Sequence, residues 1–129
     1  MMNSRLKFIT IFVNFIVPLA GLSTDIYLPS MPSMCRDFSL PSFYIQLTVT
    51  LFTLGMGLGQ AIAGPIADSW GRKPLILFGL LLQLFCLFFI VNTTIPALLI
   101  GSRLFQGFGA AAMVVPARAM LSDCFEGLN

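Results

Sequence analysis

The fold class this sequence predicts is all-α and integral to a membrane, with four spanning helices. Two observations carry that. Hydrophobic residues make up 57% of the 129 positions and charged residues only 9%, against roughly a quarter charged in soluble domains, and the mean hydropathy is +0.94. So few charges cannot coat a water-soluble surface, which leaves the lipid bilayer as the main solvent. The apolar residues also gather into four runs, most of them near the roughly 20 residues that an α-helix needs to cross the hydrocarbon core.

The first run covers about residues 6–28, interrupted by Lys7, Asn14, Pro18 and the Ser23-Thr24-Asp25 cluster. Residues 29–42 read as a polar Pro- and Ser-rich link; Pro29 and Pro32 favour an end to the first helix there, because proline removes a donor and disfavours helix in the residue before it. The second run covers about residues 43–67 and ends in a charged turn, Asp68-Ser69-Trp70-Gly71-Arg72-Lys73. The third covers about 74–91. The fourth, about 96–121, opens on Pro96, which suits a first helical turn, and contains Arg103 and Arg118. Together they make one bundle over residues 1–129.

Orientation follows from lysine and arginine near helix ends. With the N-terminus cytoplasmic, Arg5, Lys7, Arg72, Lys73 and Arg118 lie inside and Arg36 outside. A cleaved signal peptide is the competing reading of the first run, but Pro18-Leu19-Ala20-Gly21 is a poor cleavage site, and the apolar stretch is long for one. The expected location is therefore the cell inner membrane.

Glycines recur within the runs. Gly55-xxx-Gly59 is a small-xxx-small pair of the kind that lets helix backbones approach closely in lipid. The fourth run repeats the theme with Gly101, Gly107, Gly109 and the alanines that follow. A phosphate-binding loop would need these glycines between a strand and a helix, not inside an apolar helix.

Several function classes recede. There is no histidine, and the three cysteines, Cys35, Cys86 and Cys124, lack metal-ligand spacing. No metal site, resident cofactor or enzyme chemistry is expected. A net charge of +2 from scattered residues does not suit nucleic acid, which wants cations clustered on one face.

Two charges stand out because an ionisable group in a spanning helix is costly and by default marks a site facing the protein interior or water. Asp25 would lie about five residues inside the outer helix end, roughly 7 Å deep, and Arg103 about seven residues in, roughly 10 Å. Opposite charges at similar depth predict a mutually tuned couple, with Asp25 exchanging a proton or meeting a cationic substrate. Asp68 falls at the C-terminal end of its helix, where the dipole is already negative. It calls for cationic company from Arg72, Lys73 or, across the bundle, Arg118.

Three motifs resemble those of major facilitator transporters. Gly64-Pro-Ile-Ala-Asp68-Ser-Trp-Gly71-Arg72-Lys73 is similar to the GxLaDrxGrk loop between helices 2 and 3, with Ser69 where an arginine is usual. Leu99-Ile-Gly-Ser-Arg103-Leu-Phe-Gln106-Gly107-Phe-Gly109-Ala-Ala resembles the helix-4 motif of proton-coupled antiporters. Thr24-Asp25-Ile-Tyr-Leu-Pro29-Ser-Met-Pro32 resembles the end of helix 1 in the Bcr/CflA branch of drug:proton antiporters.

The resemblance implies helices 1–4 of a major facilitator N-terminal half, within a fold of twelve helices in two halves. It implies multidrug efflux by exchange of small amphipathic, often cationic drugs for protons, with the proton gradient in place of any cofactor. Asp25 would line the cavity and Arg103 would serve proton coupling. Gly64 would permit close helix approach, Asp68 would contact the other half, Gly71 would make the turn, and Arg72 and Lys73 would hold the cytoplasmic charge network. The same resemblance implies partner helices beyond these four, so that the isolated segment is not expected to transport. Two alternatives remain at this stage: a complete four-helix exporter working as a dimer, and a non-transporting membrane remnant or accessory protein.

Overall fold

The computed structural model describes residues 4–126, apart from the side chains of Ala20, Ser23 and Thr24. The polar step expected at Ser23-Thr24 therefore lies outside the described side chains. Five helices follow in order: α1 (Ser4–Asp25), α2 (Tyr27–Asp37), α3 (Ser42–Trp70), α4 (Arg72–Asn92) and α5 (Pro96–Glu126).

The first run departs from expectation at its outer end. The link expected over residues 29–42 is mostly helix, since α2 continues to Asp37. Ile26 keeps right-handed helical angles, and its amide donates to the Leu22 carbonyl at 3.0 Å, so α1 and α2 are nearly continuous. Pro29 has no N–H to return to the carbonyl of Asp25, which is where the ladder breaks. Pro29 then sits in the first turn of α2, where proline is tolerated, and Pro32 lies inside the helix. The prolines interrupt the ladder without ending the helix. The chain turns only at Phe38 to Pro41, where Ser39 takes a positive φ of 52°.

The other three runs appear as expected, each longer than its apolar core. By length and composition α3, α4 and α5 can each cross a membrane. Hydroxyl and amide side chains inside the helices are largely satisfied by their own backbone: Thr10 donates to the Leu6 carbonyl, Thr53 to Val49 and Ser102 to Leu98, at 2.8–3.0 Å. That local pairing suits helices that have no water to turn to.

Helix α5 is the centre of the bundle, with α1, α3 and α4 packed around it. Val13 and Ile16 of α1 meet Ile76 of α4 and Met113 and Ala117 of α5 in one cluster. Ala63 and Ala67 of α3 join Leu75 and Ala112 in another. The outer face of α4 presents Phe78, Leu81, Phe85 and Phe88, each at least 59% exposed, an apolar surface of the kind that only lipid or more protein can cover.

Glycine sets the two closest helix crossings. A Cβ on Gly107 would run into the Phe52 carbonyl and lie 2.7 Å from the Met56 amide, and one on Gly59 would lie 2.8 Å from the Ala111 methyl. Gly55 meets the Leu104 carbonyl in the same way, so the expected Gly55/Gly59 face is the α3–α5 contact. The α4–α5 crossing pairs Gly79 with Gly109: a Cβ on Gly79 would lie 2.7 Å from the Gly109 carbonyl oxygen. By contrast Gly64 and Gly101 have nothing within 4 Å of a Cβ, so the close approach expected at Gly64 does not occur within the described bundle.

Candidate functional site

Arg103 is 5% exposed, in the third turn of α5. Its guanidinium carbon lies 3.5 Å from the centre of the Tyr27 ring, a cation–π contact. Its Nη1 donates to Gln106 Oε1 at 2.9 Å, one turn along the same helix. Tyr27 is itself buried, and its hydroxyl lies 2.6 Å from Thr48 Oγ1. Thr48 Oγ1 is 2.6 Å from the Ile45 carbonyl; its single proton goes there, so the Tyr27 hydroxyl donates to Thr48. One phenol thus ties α2 to α3 and carries the cation of α5. The Gly55–Leu104 and Gly107–Phe52 contacts draw α3 against α5 at this level.

The expected couple of Asp25 and Arg103 is corrected here. Asp25 is exposed, and the partners of the guanidinium are Tyr27 and Gln106. The reason is helical geometry. Positions two apart on a helix point about 200° away from one another, so on a nearly continuous helix Tyr27 and Asp25 cannot both face α5. The aromatic residue takes the cation and the acid points away.

A cavity of about 560 Å³ opens beside this cluster, between the α1–α2 helix, α4 and α5. Tyr27, Ser30, Gln83, Arg103 and Gln106 are its polar lining, with leucines and Met34 making most of the rest. Met31, three residues before Met34, lines a separate groove against α3.

At the opposite end the charged turn has its own geometry. Gly71 adopts φ 94°, ψ 159°, a region essentially closed to residues with a Cβ. The next residue opens α4, and its guanidinium pairs with Asp123 in the last turn of α5 at 2.5 Å. This corrects the expectation that Arg72 attends Asp68. A cation at a helix N-terminus and an acid at a C-terminus each oppose the helix dipole, and pairing the two offsets both. Asp68, Lys73 and Arg118 are exposed. Arg5 and Lys73 line a common pocket, so the starts of α1 and α4 share one end of the bundle.

Sequence reasoning missed Thr48, Gln83 and Asp123, and it did not tie Tyr27 to Arg103. Tyr27 stood in plain view two residues after Asp25, and the spacing rule that separates the two was available.

Residues 13–128 match the family model of the Major Facilitator Superfamily. The chain belongs to this superfamily. It is similar to an uncharacterized transporter of the superfamily, YdgK, from Bacillus subtilis, at 39% identity over 84% of the chain and 27% of the relative. It is 35% identical to the bicyclomycin resistance protein homolog of Haemophilus influenzae, over 84% of the chain and 27% of that protein. Multidrug resistance protein D of Escherichia coli is 30% identical, over 86% and 28%. The chain spans about a quarter of the length of these curated relatives. No solved structure matches it at a significant level. As a major facilitator chain with long apolar helices it is a multi-pass membrane protein.

Proposed function

We propose that these helices form the opening spans of a drug:proton antiporter in the cell inner membrane, with the N-terminus cytoplasmic and α1–α2 acting as a fourth span. The observation that carries the reading is the buried Arg103. A permanent cation in an apolar helix is costly, and here it is held by two residues, Tyr27 and Gln106, at the wall of a cavity of about 560 Å³. The names of the relatives, resistance to bicyclomycin and to multiple drugs, support export as the direction of transport.

In this reading Arg103 sets the electrostatics of the cavity, while Gln106, Gly107 and Gly109 fix its position. Asp25 is the proton-exchanging acid and the meeting point for a cationic, amphipathic drug. It works on the face of α1 turned away from Arg103, where further helices of the transporter would pack. Gly64, Asp68, Gly71, Arg72 and Lys73 form the cytoplasmic latch, with Asp68 free to meet the other half and Arg118 a further cation at that end. Four spans offer one wall of a pathway, and alternating access needs a second bundle to rock against. Transport therefore belongs to an assembly containing further helices.

A chimera tests this. The chain alone, and the chain joined to the remaining three-quarters of the Haemophilus influenzae relative, are expressed in a host stripped of its own drug pumps. The chimera is expected to export a cationic dye only while a pH gradient stands, and Asp25→Asn in it to abolish that export. Export by the chain alone would favour a small dimeric exporter, and an inserted chimera with no gradient-driven export would count against the antiporter.

A further inference from the structure

Helices α1 and α4 both pack on α5, and a cleft of about 810 Å³ opens between them. Each helix brings a cation from its first turn to this cleft, Arg5 from α1 and Lys73 from α4. Beyond each cation the wall is apolar at helical spacing: Phe8 and Phe12 on α1, Leu77 and Leu80 on α4. Phe8 and Leu77 are 70% and 61% exposed, so the bundle itself does not fill the cleft. Its floor is the core: Ile76 belongs to a core cluster, and Ile9 and Met120 pack against it. From cation to last apolar residue is seven positions on either helix, about 10 Å along the axis. That is two-thirds of the roughly 15 Å of hydrocarbon in one leaflet. The cation end lacks negative charge. Neither α1 nor α4 has an acid in its first turn, where the helix dipole favours one. Neither Arg5 nor Lys73 makes an ion pair among the described residues. Asp123 lines an adjoining pocket with Lys73, but its carboxylate is taken by Arg72.

We propose that this cleft binds one anionic phospholipid. The phosphate sits between Arg5 and Lys73, with the Ser4 hydroxyl, which also lines the cleft, as a further donor. An acyl chain lies between the phenylalanines of α1 and the leucines of α4. Basic pockets between spanning helices suit such headgroups, and here the open side of the cleft faces the lipid in which a multi-pass chain sits. A zwitterionic headgroup would bring its own ammonium against two cations and is disfavoured. The inference rests on the chain lying in a membrane, and on neither proton coupling nor the direction of threading.

Native mass spectrometry of the chain released from mild detergent tests this, with phosphatidylglycerol and phosphatidylcholine of identical acyl chains offered in equal amounts. The chain is expected to retain one phosphatidylglycerol with about tenfold preference, the range that two cations near a headgroup supply at moderate salt. In Arg5→Gln/Lys73→Gln the preference should fall close to one. Lys7→Gln/Arg118→Gln removes the same charge from residues that do not line the cleft and should leave the preference in place. Equal retention of the two lipids by the unsubstituted chain overturns the proposal. So does an equal loss of preference in both double variants, which would mean a general attraction to basic residues. Glycerophosphoglycerol, the headgroup without chains, should not bind at the same concentrations; saturable binding of it would assign the cations to a soluble phosphate ester and overturn the lipid. The chimera should keep the preference, and its loss there would place a further helix in the cleft and also overturn the proposal. A preference that persists in a chimera without export would leave the lipid site standing and remove the transport reading.

Discussion

At the scale of single residues, the arrangement turns on Tyr27. Its ring carries the Arg103 cation and its hydroxyl reaches Thr48, so the two functions can be separated. Tyr27→Phe keeps the ring and loses one hydrogen bond whose acceptor also donates to the Ile45 carbonyl. The expected loss of stability is about 0.5–1 kcal/mol. Tyr27→Leu also removes the cation–π contact, worth about 2 kcal/mol when desolvated, and should be the more damaging of the two. Unfolding in mild detergent, followed by circular dichroism, reads the difference; equal losses would mean the ring contributes nothing through the cation. Arg103 was legible in the sequence because a charge in an apolar run needs no structure to look out of place. Its true neighbours were not, because an aromatic residue in an apolar run looks ordinary.

At the scale of helices, glycine separates into two populations that the sequence cannot tell apart. Gly107 and Gly101 lie on the same helix, yet a methyl group on the first meets α3 backbone and on the second meets nothing within 4 Å. Gly107→Ala should destabilise the bundle by about 1–3 kcal/mol, the usual range for overpacking. Gly101→Ala should be neutral or stabilising by up to about 1 kcal/mol, from helix propensity. Matched melting curves of the two variants check this, and a Gly107→Ala protein as stable as Gly101→Ala would contradict the packing. Gly71→Ala should cost on the order of 1–3 kcal/mol for its backbone conformation alone. The Arg72–Asp123 pair, whose side chains are 28% and 58% exposed, should contribute under about 1 kcal/mol, and less in high salt. A double-mutant cycle at low and high salt measures it. The sequence pattern located α3, α4 and α5 from apolar length alone. It misjudged α2 because the proline rules describe average chains, and two prolines in a nearly continuous helix can be absorbed at the first turn and by local rearrangement in lipid.

At the scale of the whole molecule, the expected threading puts two of the three cysteines at opposite ends. Cys35 lies near the end of α2 and Cys124 in the last turn of α5, both partly exposed, while Cys86 is buried. With the N-terminus cytoplasmic, a membrane-impermeant maleimide added to intact cells should label Cys35 and spare Cys124 until the membrane is opened. Labelling of Cys124 alone would invert the orientation. Membrane class, helical fold and family were legible from composition and three motifs, while the four expected spans meet five helices, three of them long and apolar enough to cross a membrane. The separation of Asp25 from Arg103 was not legible, since it depends on which way Asp25 and Tyr27 point around one helix axis.

The most direct test of the central claim, that a buried and stacked Arg103 organises a proton-coupled drug site, is dye uptake into inverted membrane vesicles carrying the chimera. A pH gradient should drive uptake in the unsubstituted protein. Arg103→Leu should abolish it while Cys35 still labels from the outer side of intact cells. Gradient-driven uptake by Arg103→Leu at the unsubstituted rate would contradict the claim.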